Sequence, residues 1–356
     1  MTALSRGERI TLALAVLFTG VAAALHFLHA GPIPGFIASA AALSMLAAVV
    51  GQGTEQIGSR LGPGATGVLQ SALGNLPELF ICLFSLRAGL VDVVKAALIG
   101  SILANSLLVL GIAITVGGLK HGTQRFSSAS PRMIATLMLI SVTALAVPTL
   151  AHQLHTPAGS HEAALSAACA VVLIVVFLAS LPFSLHGDGS AAEPAEHEAP
   201  ARDAWPMALA ITLLAVAGIS AAFASEWFVD AMLPATHALG ISEAFTGFVI
   251  VAIAGNAVEN VVGIQLAAKN RPDYALSVVL NSSFQIALLL TPILVLASFF
   301  VGPAPLTLVL SPLLVAALAL ATIVTAFVTV DGESIWAEGV ALIGLYCIIA
   351  AAFWWG

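Results

Sequence analysis

Charge is what this sequence has least of. Only 8% of its 356 residues are Asp, Glu, Lys or Arg, against 60% apolar residues. Water-soluble domains carry nearer a quarter charged residues, so a water-soluble globular domain is excluded. The net charge is −7 with no basic stripe, which excludes a nucleic-acid partner. No GxxxxGK[ST] loop is present, which argues against an ATP-driven pump. Nor is there a nucleophile–base pair or a metal triad, so the chain does not read as an enzyme and calls for no cofactor. Three cysteines (Cys82, Cys169, Cys347) stand singly in apolar segments without a CxxC. They offer neither thiolate metal spacing nor a disulfide pair and read as small buried apolar side chains.

What remains is a succession of apolar runs, each near the 20 residues a bilayer crossing needs. Eleven spans fit, at about 10–29, 32–51, 63–88, 92–118, 131–150, 162–184, 205–226, 243–268, 273–300, 305–330 and 335–355. The first follows Arg6 and Arg9 as a signal peptide would. It is too long, however, and no small-residue cleavage site closes it, so it reads as a retained helix. With the N-terminus in the cytoplasm, the inner ends hold Arg6, Arg9, Arg60, Lys120, Arg125, Arg132, Arg202, Lys269 and Arg271, and the outer ends only Arg87 and Lys95. That asymmetry follows the positive-inside rule and puts the C-terminus outside. Trp205, Trp227, Trp336, Trp354 and Trp355 fall at expected span ends, as interfacial belts would have it. The lipid bilayer of a bacterial-type inner membrane is the expected surrounding.

One hydrophilic stretch, HGDGSAAEPAEHEAPARD at 186–203, carries five acids against one arginine. Its composition is that of a solvated linker, with a cation-sensing acidic segment as the alternative. The expected organisation is a leading helix (1–30), a five-helix repeat (31–185), an acidic cytoplasmic linker (186–204) and a second, inverted five-helix repeat (205–356). The fold class is an all-α polytopic membrane protein of about eleven transmembrane helices.

The repeat rests on two short motifs. Laying residues 74–111 over 255–292 without a gap, at an offset of 181, matches seven of 38 positions: Gly74/Gly255, Asn75/Asn256, Glu78/Glu259, Asp92/Asp273, Ser101/Ser282, Leu107/Leu288 and Leu108/Leu289. Five of the seven are glycine or polar, types that are scarce here. The first copy enters from the cytoplasm and the second from outside, and inverted repeats around a midplane site are a transporter architecture. Glycine loosens the helix, and asparagine can satisfy the freed backbone or coordinate directly. Backbone that leaves the helix at that depth survives only against protein or a water-filled cavity.

Glu78 and Glu259 follow their asparagines by three residues, on about the same helix face. An acid at the membrane midplane costs at least ~2.5–3.5 kcal/mol, so two of them signal use. A structural hydrogen bond across helices is the plainer alternative, as helix–helix glue is for Asn75 and Asn256. Ser101 with Asn105, and Ser282 with Gln285, add oxygens at helical spacing. Carboxylates, amides, hydroxyls and carbonyls form an all-oxygen set for a hard cation. Two carboxylates balance one divalent charge, which favours Ca²⁺ over Na⁺ or K⁺. A carboxyl group in low dielectric also keeps a proton more readily, so cation and proton can compete for the same oxygens.

GNLPEL…GSILANSLLVLG and GNAVEN…NSSFQIALLLTP also resemble the two repeat motifs of the cation/proton exchangers, in the calcium/cation antiporter superfamily. The resemblance extends to the eleven-span layout and the acidic linker. It implies a secondary antiporter that exchanges Ca²⁺ for H⁺ by alternating access, with Glu78 and Glu259 as shared cation and proton ligands. Gly74, Gly255, Asn75, Asn256, Ser101, Asn105, Ser282 and Gln285 would surround them. Against the family pattern, Pro77 replaces Thr, Asn260 replaces His, Asn281 replaces Gly and Phe284 replaces Thr. The lost histidine removes a proton carrier, and the second-copy changes bear on ion choice. Na⁺/H⁺, K⁺/H⁺ or Na⁺/Ca²⁺ exchange on the same scaffold is therefore the alternative, with a channel behind it. Glu55 in GTEQIG, and Glu226 with Asp230 in ASEWFVD, resemble acids at helix ends before each motif, either solvated or gating cation access. His152, His155 and His161 form an outer-loop cluster, which reads as solvated rather than metal-binding.

Overall fold

The computed structural model describes residues 4–61, 73–186 and 205–354. Its helices are α1 (Arg6–Phe27), α2 (Pro32–Leu61), α3 (Leu76–Arg87), α4 (Val91–His121), α5 (Ala129–Gln153), α6 (Glu162–His186), α7 (Met207–Leu239), α8 (Glu243–Gly255), α9 (Ala257–Ala268), α10 (Pro272–Ala297), α11 (Pro312–Val330) and α12 (Trp336–Trp354). Among the described residues nine helices are long and apolar enough to cross a membrane, or ten if the bent pair α8–α9 is one span. The protein is an all-α integral membrane protein. The span expected at 63–88 lies partly outside the described residues, which hold its second half as α3. The acidic linker and its charges also lie outside them, as do Trp355 and the C-terminal residue.

The chain forms two compact units, each assembled from separate segments. The first comprises Met1–Phe84, Leu181–Ile241 and Ala254–Val258, and the second Ser85–Ser180, Ser242–Ile253 and Glu259–Gly356.

In the first unit α2 packs along α7, with α1 against both. Runs such as IASAAA in α2 and AGISAA in α7 let two backbones approach closely, the usual way helices associate in lipid. Phe36 stacks on Phe228 at 4.6 Å between ring centroids. Ser5 caps α1 reciprocally: its hydroxyl accepts from Glu8 N at 3.2 Å, and Glu8 Oε2 accepts from Ser5 N at 2.6 Å.

Two expectations are corrected here. Trp205 is no interfacial anchor: it is wholly buried against Ile57 and Ala210. Its backbone N–H donates to Gln56 Oε1, and its backbone carbonyl accepts from the Arg60 guanidinium. Glu55, Glu226 and Asp230 lie inside continuous helices rather than at helix ends, because α2 and α7 run longer than their apolar runs alone suggest. Trp227 likewise falls within α7, where the His26 ring stacks on it at 5.7 Å.

The second unit is built around α4, the most enclosed of the long helices. Gly100 lets it press against α8, since a Cβ there would collide with the backbone of Phe248. The stretch before α11 departs from expectation: helix starts at Pro312, not near 305. Residues 303–311 include Pro303 and Pro305, which cannot donate a helical N–H. Side chains from neighbouring helices serve this backbone instead. Leu308 N donates to Ser166 Oγ at 2.9 Å, Leu310 N donates to Thr149 Oγ1 at 2.9 Å, and Lys95 Nζ donates to Val309 O at 2.7 Å. Non-helical backbone at membrane depth requires such partners.

At one end of this unit, β1 (Gln124–Arg125) pairs antiparallel with β2 (Glu333–Ser334), in register Gln124↔Ser334 and Arg125↔Glu333. Arg125 and Glu333 add an ion pair at 3.2 Å. Asp273, one of the residues repeated in sequence, accepts from Ser127 N at 2.7 Å and so holds this connection. At the histidine cluster, His152 meets the Glu162 carboxylate at 2.5 Å. Among the described residues no three His, Cys, Asp or Glu side chains gather in a way that could hold a metal ion.

Candidate cation site

In the first unit the GNLPE motif is a helix start. Gly74 and Asn75 form a turn, and α3 begins at Leu76. The Asn75 carbonyl accepts the first helical bond, from Leu79 N at 2.9 Å. Pro77 falls in the first turn, where a missing N–H costs nothing. That placement sets Glu78 in the same turn, where the exposed backbone N–H groups and the helix dipole favour a carboxylate. Glu78 is 0% exposed and Asn75 7%.

Gly255 and Asn256 of the second motif belong to the same unit, whereas Glu259 opens the last segment of the second unit. α8 ends at Gly255, Asn256 forms the turn and α9 starts at Ala257, with a 64° bend between Glu243–Gly255 and Glu259–Ala268. The Asn256 amide, 1% exposed, donates to Glu78 Oε2 at 3.4 Å. Gly255 faces the same side chain: a Cβ there would lie 3.2 Å from Glu78 Cβ, tight enough to displace it. The two motifs, 181 residues apart in sequence, therefore meet on Glu78. Glu259 stands three residues past Asn256 in the first turn of α9 and is half-buried.

The second unit holds the hydroxyl and amide candidates. Ser101 and Asn105 on α4, and Ser282 on α10, are buried, and Gln285 is half-buried. Asn105 Nδ2 donates to Ser282 Oγ at 2.9 Å, while the buried Asn105 Oδ1 has no protein partner. That acceptor is what an oxygen-coordinated cation would require. α4 widens into a π-helical turn over Ala104–Val109, and α10 does so over Ile286–Leu290. The first range shifted by 181 covers 285–290, so both helices depart from α geometry at matching sequence positions. Such π turns concentrate at functional sites.

Sequence reasoning missed the contact behind this pair. Ser106 and Ser283, one residue beyond Asn105 and Ser282, bond hydroxyl to hydroxyl at 3.0 Å. Thr325 Oγ1 donates to Ser106 O at 3.2 Å. The signal available was Thr322, Thr325 and Thr329, hydroxyls at helical spacing in an apolar run. Of the suggested gating acids, Glu55 and Asp230 are exposed and Glu226 is half-buried, all in the first unit.

Comparison with known proteins bears on this arrangement. The sequence profile of the sodium/calcium exchanger protein family matches residues 32–185 and 209–355. The chain is 36% identical to a Ca²⁺/H⁺ antiporter of Synechocystis sp., with 98% of each chain covered. It is 34% identical to the Ca²⁺/H⁺ antiporter ChaA of Bacillus subtilis, over 86% of this chain and 88% of that one. Among solved structures, native YfkE superposes with a TM-score of 0.82 at 29% identity, covering 97% of this chain and 99% of the other. The H⁺/Ca²⁺ exchanger CAX superposes with a TM-score of 0.78, covering 98% and 92%; at 18% identity this is a likeness of fold.

Proposed function

Because the chain belongs to the sodium/calcium exchanger protein family, alongside the Ca²⁺/H⁺ antiporters, we propose that it exchanges Ca²⁺ for H⁺ across a bacterial-type inner membrane by alternating access. Glu78 and Glu259 are the carboxylates that hold either ion. Asn75, Asn256, Ser101, Asn105, Ser282 and Gln285 supply neutral oxygens, and Gly74 and Gly255 free the backbone beside the carboxylates. The observation that carries this reading is Glu78: a fully buried carboxylate at a helix start, met by the asparagine and glycine of the second motif.

The chemistry is competition. Ionised, the two carboxylates neutralise one Ca²⁺, and the amide and hydroxyl oxygens replace its water shell. Protonated, the same oxygens lose their charge, and the cation leaves. An ion that enters on one side is thus expelled by protons that arrive on the other. The Na⁺- and K⁺-coupled alternatives draw less support, because the relatives at 34–36% identity carry the Ca²⁺/H⁺ name.

Glu55, Glu226 and Asp230 attract cations toward this site, and the acidic linker lies in the cytoplasm, with the C-terminus outside. The topology is tested in a background with Cys82, Cys169 and Cys347 replaced by Ala. Membrane-impermeant thiol reagent applied to intact cells should spare Ser190→Cys and label Gly356→Cys; the opposite pattern contradicts the orientation. The function is tested on purified protein in liposomes with an imposed pH gradient, assaying Ca²⁺, Na⁺ and K⁺ uptake in parallel. Ca²⁺ uptake alone is expected; gradient-driven Na⁺ or K⁺ uptake without Ca²⁺ uptake would overturn the assignment.

A further inference from the structure

One residue along from the Asn105–Ser282 pair, the second unit holds a partly open cavity of about 20 Å³, within the size that can hold one water or small ion. Five hydroxyl-bearing residues line it: Ser106 of α4, Ser283 of α10, and Thr322, Thr325 and Thr329 on one face of α11. The other lining residues are aliphatic apart from Met138, a weak acceptor, and Pro131, which has no N–H.

Where the hydroxyl protons go decides what the cavity can accept. Thr322 donates to Leu318 O at 2.8 Å, Thr329 to Thr325 O at 2.9 Å and Thr325 to Ser106 O at 3.2 Å. Ser283 donates to Ile102 O at 3.3 Å, which leaves Ser106 as the donor to Ser283 at 3.0 Å. Each of the five protons is therefore committed to another protein oxygen, and only lone pairs remain for an occupant. Among these five hydroxyls an anion finds no donor. A water can turn its two protons to two of these oxygens, but its own lone pairs then face the rest. A bare cation is attracted by every such oxygen that faces it.

Among the described residues no carboxylate lines the cavity, so nothing there offsets a double charge. Neutral oxygens can replace the hydration shell of a monovalent cation. We propose that this cavity is a binding site for a small monovalent cation, Na⁺ being the probe, separate from the carboxylates assigned to Ca²⁺ and H⁺. Bound there, the ion ties α4, α10 and α11 together one residue from Asn105 and Ser282. Monovalent salt would then tune the exchanger without being carried by the carboxylate site.

The test is thermal unfolding of the purified full chain in detergent, titrated with NaCl against choline chloride at constant ionic strength. A ligand that binds only the folded state raises its melting temperature. Na⁺ should stabilise wild type saturably, and equally in Glu78→Gln, which leaves the cavity untouched. Thr325→Val, which keeps the side-chain shape and removes one oxygen, should raise the half-saturating Na⁺ concentration by about tenfold. Thr322→Val serves as the second variant should Thr325→Val fail to fold. A Na⁺ effect no greater than that of choline would mean that the cavity holds water only and overturns the proposal. So would a Na⁺ effect lost in Glu78→Gln but kept in the threonine variants, which would place Na⁺ on the carboxylate site instead.

Discussion

The two motif copies look equivalent in sequence but not in the folded chain. Glu78 is fully enclosed, with the Asn256 amide on its Oε2 and Gly255 against its Cβ. Glu259 occupies the matching place at the head of α9 and is half-buried. Both head a helix, where the dipole favours a carboxylate. The copies differ in the chain before them: Pro77 precedes Glu78, whereas Val258 precedes Glu259. The lesson is that a repeated motif fixes which groups are available, while the packing around each copy decides how far each is removed from water.

The strongest way to break the comparison is to remove each carboxylate in turn. Glu78→Gln and Glu259→Gln keep the shape and delete the charge, and losing one member of a buried charge set costs at least ~3 kcal/mol. Each should lower proton-driven Ca²⁺ uptake in proteoliposomes by more than about a hundredfold. Near wild-type uptake in either variant would leave a one-carboxylate site.

Next come the neighbours specific to Glu78. Asn256→Ala removes a donor to a charged acceptor, a contact worth about 1.5 kcal/mol, and should weaken Ca²⁺ binding by about tenfold. Gly255→Ala, which crowds Glu78, should weaken it comparably while leaving expression intact. In the second unit, Asn105→Ala and Ser282→Ala remove the two ends of one hydrogen bond, at 2.9 Å. Their effects on Ca²⁺ affinity should be less than additive in the double variant. Full additivity would mean that the two residues act separately.

The smallest effect belongs to the acids of the first unit. Glu55→Gln and Asp230→Asn, both exposed, should raise the KM for Ca²⁺ by about two- to threefold at low ionic strength and less at high salt. An unchanged KM at low salt would return these residues to ordinary solvated charges.

Much of this was legible in the sequence because polar residues are so scarce. A carboxylate and an amide beside a glycine stand out in a chain 60% apolar, and their recurrence at one offset marks the helix breaks at Asn75 and Asn256. Span positions were readable for the same reason, since the length of an apolar run reports membrane thickness. Helix ends were not: α2 and α7 continue past their apolar runs through residues such as Glu55 and Asp230, and polarity alone does not end a helix. The extended stretch before α11 depends on Ser166, Thr149 and Lys95 reaching its backbone, contacts between segments far apart in sequence. Trp205 misled for a similar reason: a tryptophan at a span end reads as an interfacial anchor, yet the face of α2 around Ile57 encloses it. Ser106 and Ser283 were passed over because serine is ordinary inside membrane helices, and only their mutual contact distinguishes them.

The central claim is that Ca²⁺ and protons occupy the same carboxylates. Isothermal titration of Ca²⁺ into purified protein, in buffers of different ionisation heat, counts the protons released on binding. Binding to a shared pair should release protons between about pH 5 and 8, approaching about two per Ca²⁺ where both carboxyls start protonated. Affinity should fall as pH falls, and Glu78→Gln should reduce the count. Ca²⁺ binding with no proton release across that range would contradict shared-site exchange.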